Sequence, residues 1–371
     1  MDHIHVSEDR QFWLHDGRTL QTLHQLQDAL HDMKPEVFSH HVNSSKNDFA
    51  SWVIDITGDK ALADSIRKSK TPKSMEAVID KALANAEMRK VTDVNHLRQI
   101  ANKLRQDLIK TLLEAGSGHS AGPLGMADVF AALYFNVLRH KPRDPFWDGR
   151  DRLILSNGHI CPIRYVAMAH AGYFPISELK TLRKLGTRLQ GHPHNTSLPG
   201  VENTGGPLGQ GTSIAVGMAL AARMDGKKHH LYCMTGDGEL DEGQVWEAFM
   251  LASKEKLNNL TFIVDRNNIQ IDGMTENIMP LESLAAKFAA FGFHVIEVDA
   301  HNMQGFIDAC SAAKSIYERP TVIIAHAIPG KGVDFMEFRY EWHGKPPNKE
   351  EAKKALHQLR TLGGKIEGEH Q

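Results

Sequence analysis

Leu231-Tyr232-Cys233-Met234-Thr235-Gly236-Asp237-Gly238, followed by Leu260-Thr261-Phe262-Ile263-Val264-Asp265-Arg266-Asn267-Asn268, decides the fold. The apolar runs Leu231–Met234 and Leu260–Val264 read as short buried parallel strands, and the segment from Glu242 to about Leu257 between them has the apolar spacing of an amphipathic helix. Asp237 and Asn267, thirty positions apart, therefore sit at the carboxyl ends of two strands, where an open α/β sheet binds its ligands. Both offer oxygen donors of the kind a hard dication combines with phosphate oxygens. Gly236 and Gly238 let a phosphate approach the backbone, and the helix after Glu242 presents its positive end nearby. Gly-Asp-Gly alone would fit an ordinary tight turn. The second donor on a second strand is what points to a metal-bound diphosphate cofactor.

Working outward, further strands are expected at Arg152–Leu155, Val295–Val298 and Thr321–Ala325, alternating with helical patterns. That alternation implies an α/β fold, a parallel sheet with helices on both faces. Long helical patterns also run from Ser74 to Lys90 and from Val94 to Ala115. A break at Ser69-Lys70-Thr71-Pro72-Lys73 separates this region from a small, mostly helical segment, in which Asp16-Gly17 signals a turn and Leu20, Leu23, Leu26 and Leu30 recur at helical spacing. The expected organisation is an accessory domain over 1–70, a linker helix over 71–93 and a diphosphate-binding domain over 94–371.

At 371 residues the chain has room for two or three domains of ~150 residues each. The formal charge of −2, with no basic stripe, argues against a nucleic-acid surface. Cys161, Cys233 and Cys310 are dispersed among apolar segments and suggest neither a disulfide framework nor a zinc site, which fits a reducing cytoplasm. No stretch approaches ~18 apolar residues, and the N-terminus lacks the pattern of a signal peptide, so neither membrane insertion nor secretion is expected.

Four of the 22 histidines sit beside glycine in loops: Ser117-Gly118-His119, Ser156-Asn157-Gly158-His159, Gln190-Gly191-His192-Pro193 and Trp342-His343-Gly344. Each alone would be an ordinary surface residue. Taken with Ser120-Ala121-Gly122-Pro123-Leu124-Gly125, Gly205-Gly206-Pro207-Leu208-Gly209-Gln210-Gly211, Gly236-Asp237-Gly238 and Lys345-Pro346, they resemble transketolase, in the same order, over about Val94 to Leu359. More narrowly, the chain is similar to the N-terminal subunit of split transketolases, in which the diphosphate and aminopyrimidine domains are separate chains.

The resemblance implies thiamine diphosphate with Mg2+ (or Ca2+ or Mn2+), held by Asp237, Asn267 and the Ile269 carbonyl. It places His159 and Gly238 on the diphosphate and Gly206 and Leu208 along the cofactor rings. His119, His192 and His343 match histidines that contact sugar hydroxyls and assist proton transfer, as imidazoles titrating near neutrality can. A cluster of neutral or cationic histidines would suit an anionic sugar phosphate. Glu242 matches a carboxylate at the subunit boundary that hydrogen-bonds toward the partner's catalytic glutamate. Three departures stand out: Ser120 replaces a proline, Ala300 replaces the glycine before His301, which is given no role, and Arg266 and Asn268 flank the metal asparagine. Lys331 lies in a loop that approaches the site in relatives, and its side chain reads equally as solvated.

One helix, Lys349 to about Leu362, and a tail follow His343, with no second α/β domain. The expected partner is a C-terminal transketolase subunit carrying the pyrimidine domain, in an α2β2 heterotetramer working in the pentose phosphate pathway. The expected activity is transfer of a two-carbon ketol unit from a ketose phosphate of the xylulose 5-phosphate type to an aldose phosphate. Alternatives are a transketolase-like chain that takes a modified ketose phosphate and a noncatalytic scaffold that kept the fold. The histidine contexts oppose the α subunit of a 2-oxo acid dehydrogenase and a deoxyxylulose phosphate synthase, which share the metal motif. Phe12–Leu20, His41-Val42-Asn43 and Asn47–Trp52 resemble a small helical domain family of unknown function. A metal site on His40 and His41 is disfavoured, because adjacent side chains diverge and no further ligands are visible.

Overall fold

The computed structural model describes residues 6, 10–86 and 90–368. It divides into two compact units, Met1–Arg89 with Lys141–Arg143, and Lys90–His140 with Asp144–Gln371.

In the first unit, β1 (Phe12–Trp13) and β2 (Thr19–Leu20) form an antiparallel hairpin, with Gly17 at φ +86° closing the turn that Asp16-Gly17 signalled. Helices Leu23–His31, Pro35–His41, Asp48–Thr57, Lys60–Lys68 and Pro72–Ala86 follow. Their core includes Leu26, Phe38, Phe49, Val53 and Ile66, together with Met75, Ile79 and Leu83 of the last helix. The helix expected as a linker thus contributes its apolar stripe to this core. Thr71 Oγ1 accepts the Ser74 N–H at 3.1 Å and Pro72 opens the helix, so the Thr-Pro step starts an element. Residues 87–89 of the expected linker lie outside the described residues.

His41 explains the clustered motifs of this unit. Its ring is buried against Phe12 and Phe49. Nδ1 pairs with Asp48 Oδ2 at 3.1 Å, and Nε2 accepts the His15 N–H at 3.1 Å. Both nitrogens are engaged in holding hairpin to helices.

The second unit is built on a five-stranded parallel sheet of β3 (Arg152–Leu155), β4 (Leu231–Gly236), β5 (Leu260–Arg266), β8 (His294–Asp299) and β9 (Thr321–His326), in the order β3-β4-β5-β9-β8. A two-residue hairpin, β6 (Ile269–Gln270) with β7 (Gly273–Met274), follows β5. Successive side chains of a strand point to opposite faces. Accordingly, Leu153, Leu155, Tyr232, Met234, Ile263 and Ile323 join one core, and Ile154, Leu231, Cys233, Phe262, Val264 and Val322 the other. Helices Val94–Ala115, Cys161–His170 and Met303–Lys314 contribute to the first, and Gln210–Met224, Gly243–Lys254 and Leu284–Ala290 to the second. Burial on both faces is why the central strands are continuous apolar runs. At the sheet edge β8 is only partly covered, with Glu297 and Asp299 exposed and the other four residues half-buried. All three cysteines are buried and free, and no described helix is long and apolar enough to cross a membrane.

Candidate active site

The segments leaving the carboxyl ends of β3, β4 and β5 carry His159, Asp237, Gly238, Asn267 and Ile269. After β3, Gly158–Ile160 forms a 3-10 turn holding His159. After β4, Asp237 caps the turn Gly238–Asp241, its side chain accepting the Gly238 N–H at 2.8 Å. After β5, Asn268 takes a left-handed conformation at φ +64°, which asparagine tolerates better than most residues. The Asn268 N–H then reaches Asp237 Oδ2 at 2.6 Å. Asn267 Oδ1 accepts the Ile269 N–H at 3.1 Å. Asp237, Gly238, Asn267 and Ile269 are therefore brought together as expected, and Asn268 is the pivot that does so.

The four loop histidines also converge. Ring centroids are 5.0 Å apart for His119 and His159, 5.5 Å for His119 and His343, 4.9 Å for His159 and His343, and 6.5 Å for His119 and His192. Burial, then His343, Arg183 and His192, depress the His119 imidazole to about 4. Burial also holds His159 well below its usual value, with His343, His119 and His192 adding to the effect. His192 is lowered by burial and then Arg183, and His343 by burial. Of the neutral or cationic states anticipated, the neutral one is favoured near pH 7: four close imidazoles in a partly dry site cannot all be charged.

Gly206, Leu208 and Glu242 lie at the rim. Gly206, at φ +138°, borders Gly158, where an added Cβ would come within 3.2 Å of Gly206 N. Leu208 is 37% exposed, and its carbonyl accepts from Gln244 Nε2 at 2.9 Å. Glu242 is exposed at the start of helix Gly243–Lys254, and its side chain makes no capping bond. Lys331 is partly buried in a loop fastened by the Gly330 N–H to the Ala121 carbonyl. His301, given no role, pairs through Nδ1 with Asp128 and accepts the Ile328 N–H on Nε2, bracing that same loop. Ser120, the departure from proline, donates its hydroxyl to the Lys345 carbonyl at 2.6 Å, which fastens the His119 loop to the His343 loop.

Several residues escaped the sequence reading. Glu239 is 2% exposed and accepts from Ser156 Oγ, Gly209 N and Gly236 N, tying three site loops together. Its place directly after Gly236-Asp237-Gly238 was the one signal for it. Arg183 donates to Ser117 Oγ at 2.7 Å and to the Gly191 carbonyl at 3.3 Å, between the His119 and His192 loops. Nothing local marks it among 43 lysines and arginines.

A polar ligand fits this arrangement. The Asn157 amide, both Asp265 oxygens, Gln270 Nε2 and His119 Nδ1 are buried without a hydrogen-bond partner, an expensive state unless a ligand or water completes them. Burial, then the Asp237 charge, push the Asp265 carboxyl well above the usual range, with the Asn267 side chain opposing them. The floor is shaped by glycines: a Cβ on Gly238 would fall 2.8 Å from Gln270 Oε1, and one on Gly205 3.1 Å from Pro193. Burial pushes the Asp237 carboxyl up to about 6, against Arg266 and the N–H groups of Asn268 and Gly238. A cation bound there would offset that burial cost. Among the described residues no three His, Cys, Asp or Glu side chains surround a metal-sized point, so such a cation would take amide and carbonyl oxygens in addition to Asp237.

The transketolase thiamine diphosphate-binding domain matches residues 96–363. The chain belongs to the transketolase family. It is 42% identical over 267 residues to a 6-deoxy-6-sulfo-D-fructose transketolase subunit from Clostridium sp. (strain MSTE9), covering 72% of this chain and 97% of that one. It is 36% identical over 277 residues to an apulose-4-phosphate transketolase subunit from Phocaeicola vulgatus, covering 75% and 98%. The crystal structure of transketolase from Campylobacter jejuni superposes with a TM-score of 0.67 at 37% identity, covering 71% of this chain and 42% of that one. The chain thus spans about two fifths of that transketolase but nearly the whole of the subunit-sized relatives. The sheet and helices are those of the transketolase fold.

Proposed function

We propose that this chain is the diphosphate-domain subunit of a two-subunit transketolase, moving a two-carbon ketol unit from a ketose phosphate to an aldose phosphate. The observation that carries the reading is the pairing of Asp237 with the Asn267–Ile269 loop, the convergence of four histidines, and the Ser156–Glu239 contact that ties the His159 loop to the Asp237 loop. Asp237, Asn267 and the Ile269 carbonyl would hold Mg2+, or Ca2+ or Mn2+, against the diphosphate, with His159 and Gly238 beside it. Gly206 and Leu208 would border the cofactor rings, and Glu242 would face the partner. Bound thiamine diphosphate would supply the electron sink for the two-carbon unit. This chain's own contribution is orientation and proton transfer. His119, His192 and His343, neutral at the working pH, can each accept a hydroxyl proton from a sugar and return it.

Subunit-length relatives named for 6-deoxy-6-sulfo-D-fructose and for apulose 4-phosphate favour a second substrate reading, a modified ketose phosphate or sulfonate donor in place of xylulose 5-phosphate. The partner would be a pyrimidine-domain subunit, in an α2β2 assembly.

The test is co-purification with the adjacent-gene product, followed by assay of xylulose 5-phosphate, 6-deoxy-6-sulfofructose and apulose 4-phosphate against ribose 5-phosphate and other aldose acceptors. Turnover is expected only with the partner, thiamine diphosphate and Mg2+ all present. Asp237→Ala should abolish magnesium-dependent cofactor binding, because it leaves the diphosphate charge without its bridging metal. Turnover by this chain alone, or unchanged cofactor affinity in Asp237→Ala, would overturn the proposal.

A further inference from the structure

Arg266, one of the departures beside the metal asparagine, is the last residue of β5 and only 2% exposed. Its Nη1 meets Asp237 Oδ2 at 3.1 Å. Its Nη2 meets Glu276 Oε1 at 2.6 Å and Glu282 Oε1 at 2.9 Å. The two glutamates are held by the backbone, Glu276 by the Leu281 N–H at 3.2 Å and Glu282 by the Leu284 N–H at 3.1 Å. Their side chains are 37% and 56% exposed.

A guanidinium touching a metal-ligating carboxylate has two opposed effects. It fixes the carboxylate's direction, as the outer partners of metal ligands do. It also competes for the oxygen and repels an incoming dication, and in a buried setting that repulsion is weakly screened. Glu276 and Glu282 offset the second effect by setting two negative charges beside the guanidinium. With Asp237 the cluster carries two net negative charges, the charge a divalent cation neutralises.

We infer that Arg266 is a positioning residue for Asp237 and that Glu276 and Glu282, though not ligands, set the site's affinity for its metal. The inference rests on the reading of Asp237, Asn267 and Ile269 as metal ligands. It assigns the short segment after β7 a role in cofactor loading that its exposure would not suggest.

The experiment is calorimetric titration of Mg2+ in the presence of thiamine diphosphate, on the complex with the partner subunit. Glu276→Gln with Glu282→Gln leaves the guanidinium with Asp237 as its one anionic partner in the cluster and should raise the half-saturating Mg2+ about tenfold, the lower end of what outer-partner changes cost. Adding Arg266→Met removes the repelling charge and should recover part of that loss, the unrecovered part being the cost of releasing Asp237 from its fixed direction. A purely structural role for the cluster predicts the reverse order, with the triple variant weaker than the double. Unchanged Mg2+ affinity in the double variant, or further loss in the triple, overturns the inference while leaving the proposed function standing. Absence of magnesium-dependent binding in the unmodified complex overturns both.

Discussion

At the scale of single residues, the histidine cluster is the feature with the clearest measurable consequence. The His119 imidazole is lowered to about 4 in the folded chain, whereas an unfolded histidine titrates near ~6.5. The unfolded chain therefore binds more protons between those values, so stability from this group is complete above about pH 6.5 and is lost as pH falls toward 4. At pH 5 the loss from His119 is at most about 2 kcal/mol, at ~1.4 kcal/mol per unit of difference. Urea midpoints at pH 7.5 and pH 5 should accordingly converge in His119→Asn relative to the unmodified chain. An unaltered pH dependence in that variant would mean that the ring is not held neutral by the fold. The sequence made the cluster's members legible, because glycine-flanked histidines recur in a fixed order. Their charge state was not legible, since it depends on how closely loops from distant positions approach.

Among the secondary-structure elements, apolar runs marked β3, β4, β5 and β9, because strands covered on both faces need no polar alternation. The edge strand β8, expected at Val295–Val298, runs one residue further at each end. The helix Pro72–Ala86 was visible as a helix, but not as part of the small unit's core, because Thr-Pro reads as a break and equally as the start of a helix. Glu239 and Arg183 were missed because their roles lie wholly in contacts across loops. The close seating of helix Gln210–Met224 against the loop after β3 yields a prediction at this scale. A Cβ on Gly211 would lie 2.5 Å from both Ser156 Cα and Ser156 Cβ, so the backbone itself must move. Gly211→Ala should therefore destabilise by about 2 kcal/mol, within the range for overpacking, despite alanine's better helix propensity. It should also weaken thiamine diphosphate binding, since Ser156 leads directly into Asn157, Gly158 and His159. Thermal unfolding and cofactor titration of this one variant check both effects, and a variant as stable as the unmodified chain would contradict the observed packing.

For the whole molecule, the decisive fact is that the buried apolar residues fall into separate cores. Those of the small unit lie between Val6 and Leu83, and none belongs to either core flanking the sheet. The subunit-sized relatives are covered over 97% and 98% of their length by only 72% and 75% of this chain, so the transketolase fold is complete in them without a counterpart of the remainder. From both observations we expect the sheet unit to fold by itself, because folding free energy comes mainly from apolar area buried within a unit. A chain beginning at Lys90 is expected to unfold cooperatively at a temperature close to that of the sheet unit in the full chain. It should bind thiamine diphosphate and Mg2+ with affinity within about threefold of the full chain, each tenfold being ~1.4 kcal/mol, when assembled with the same partner subunit. Differential scanning calorimetry of both chains separates the units' transitions, and the cofactor titration shows whether the small unit contributes to the site. A shortened chain that fails to fold, or folds but loses cofactor binding, would show that the small unit is structurally required by the transketolase domain.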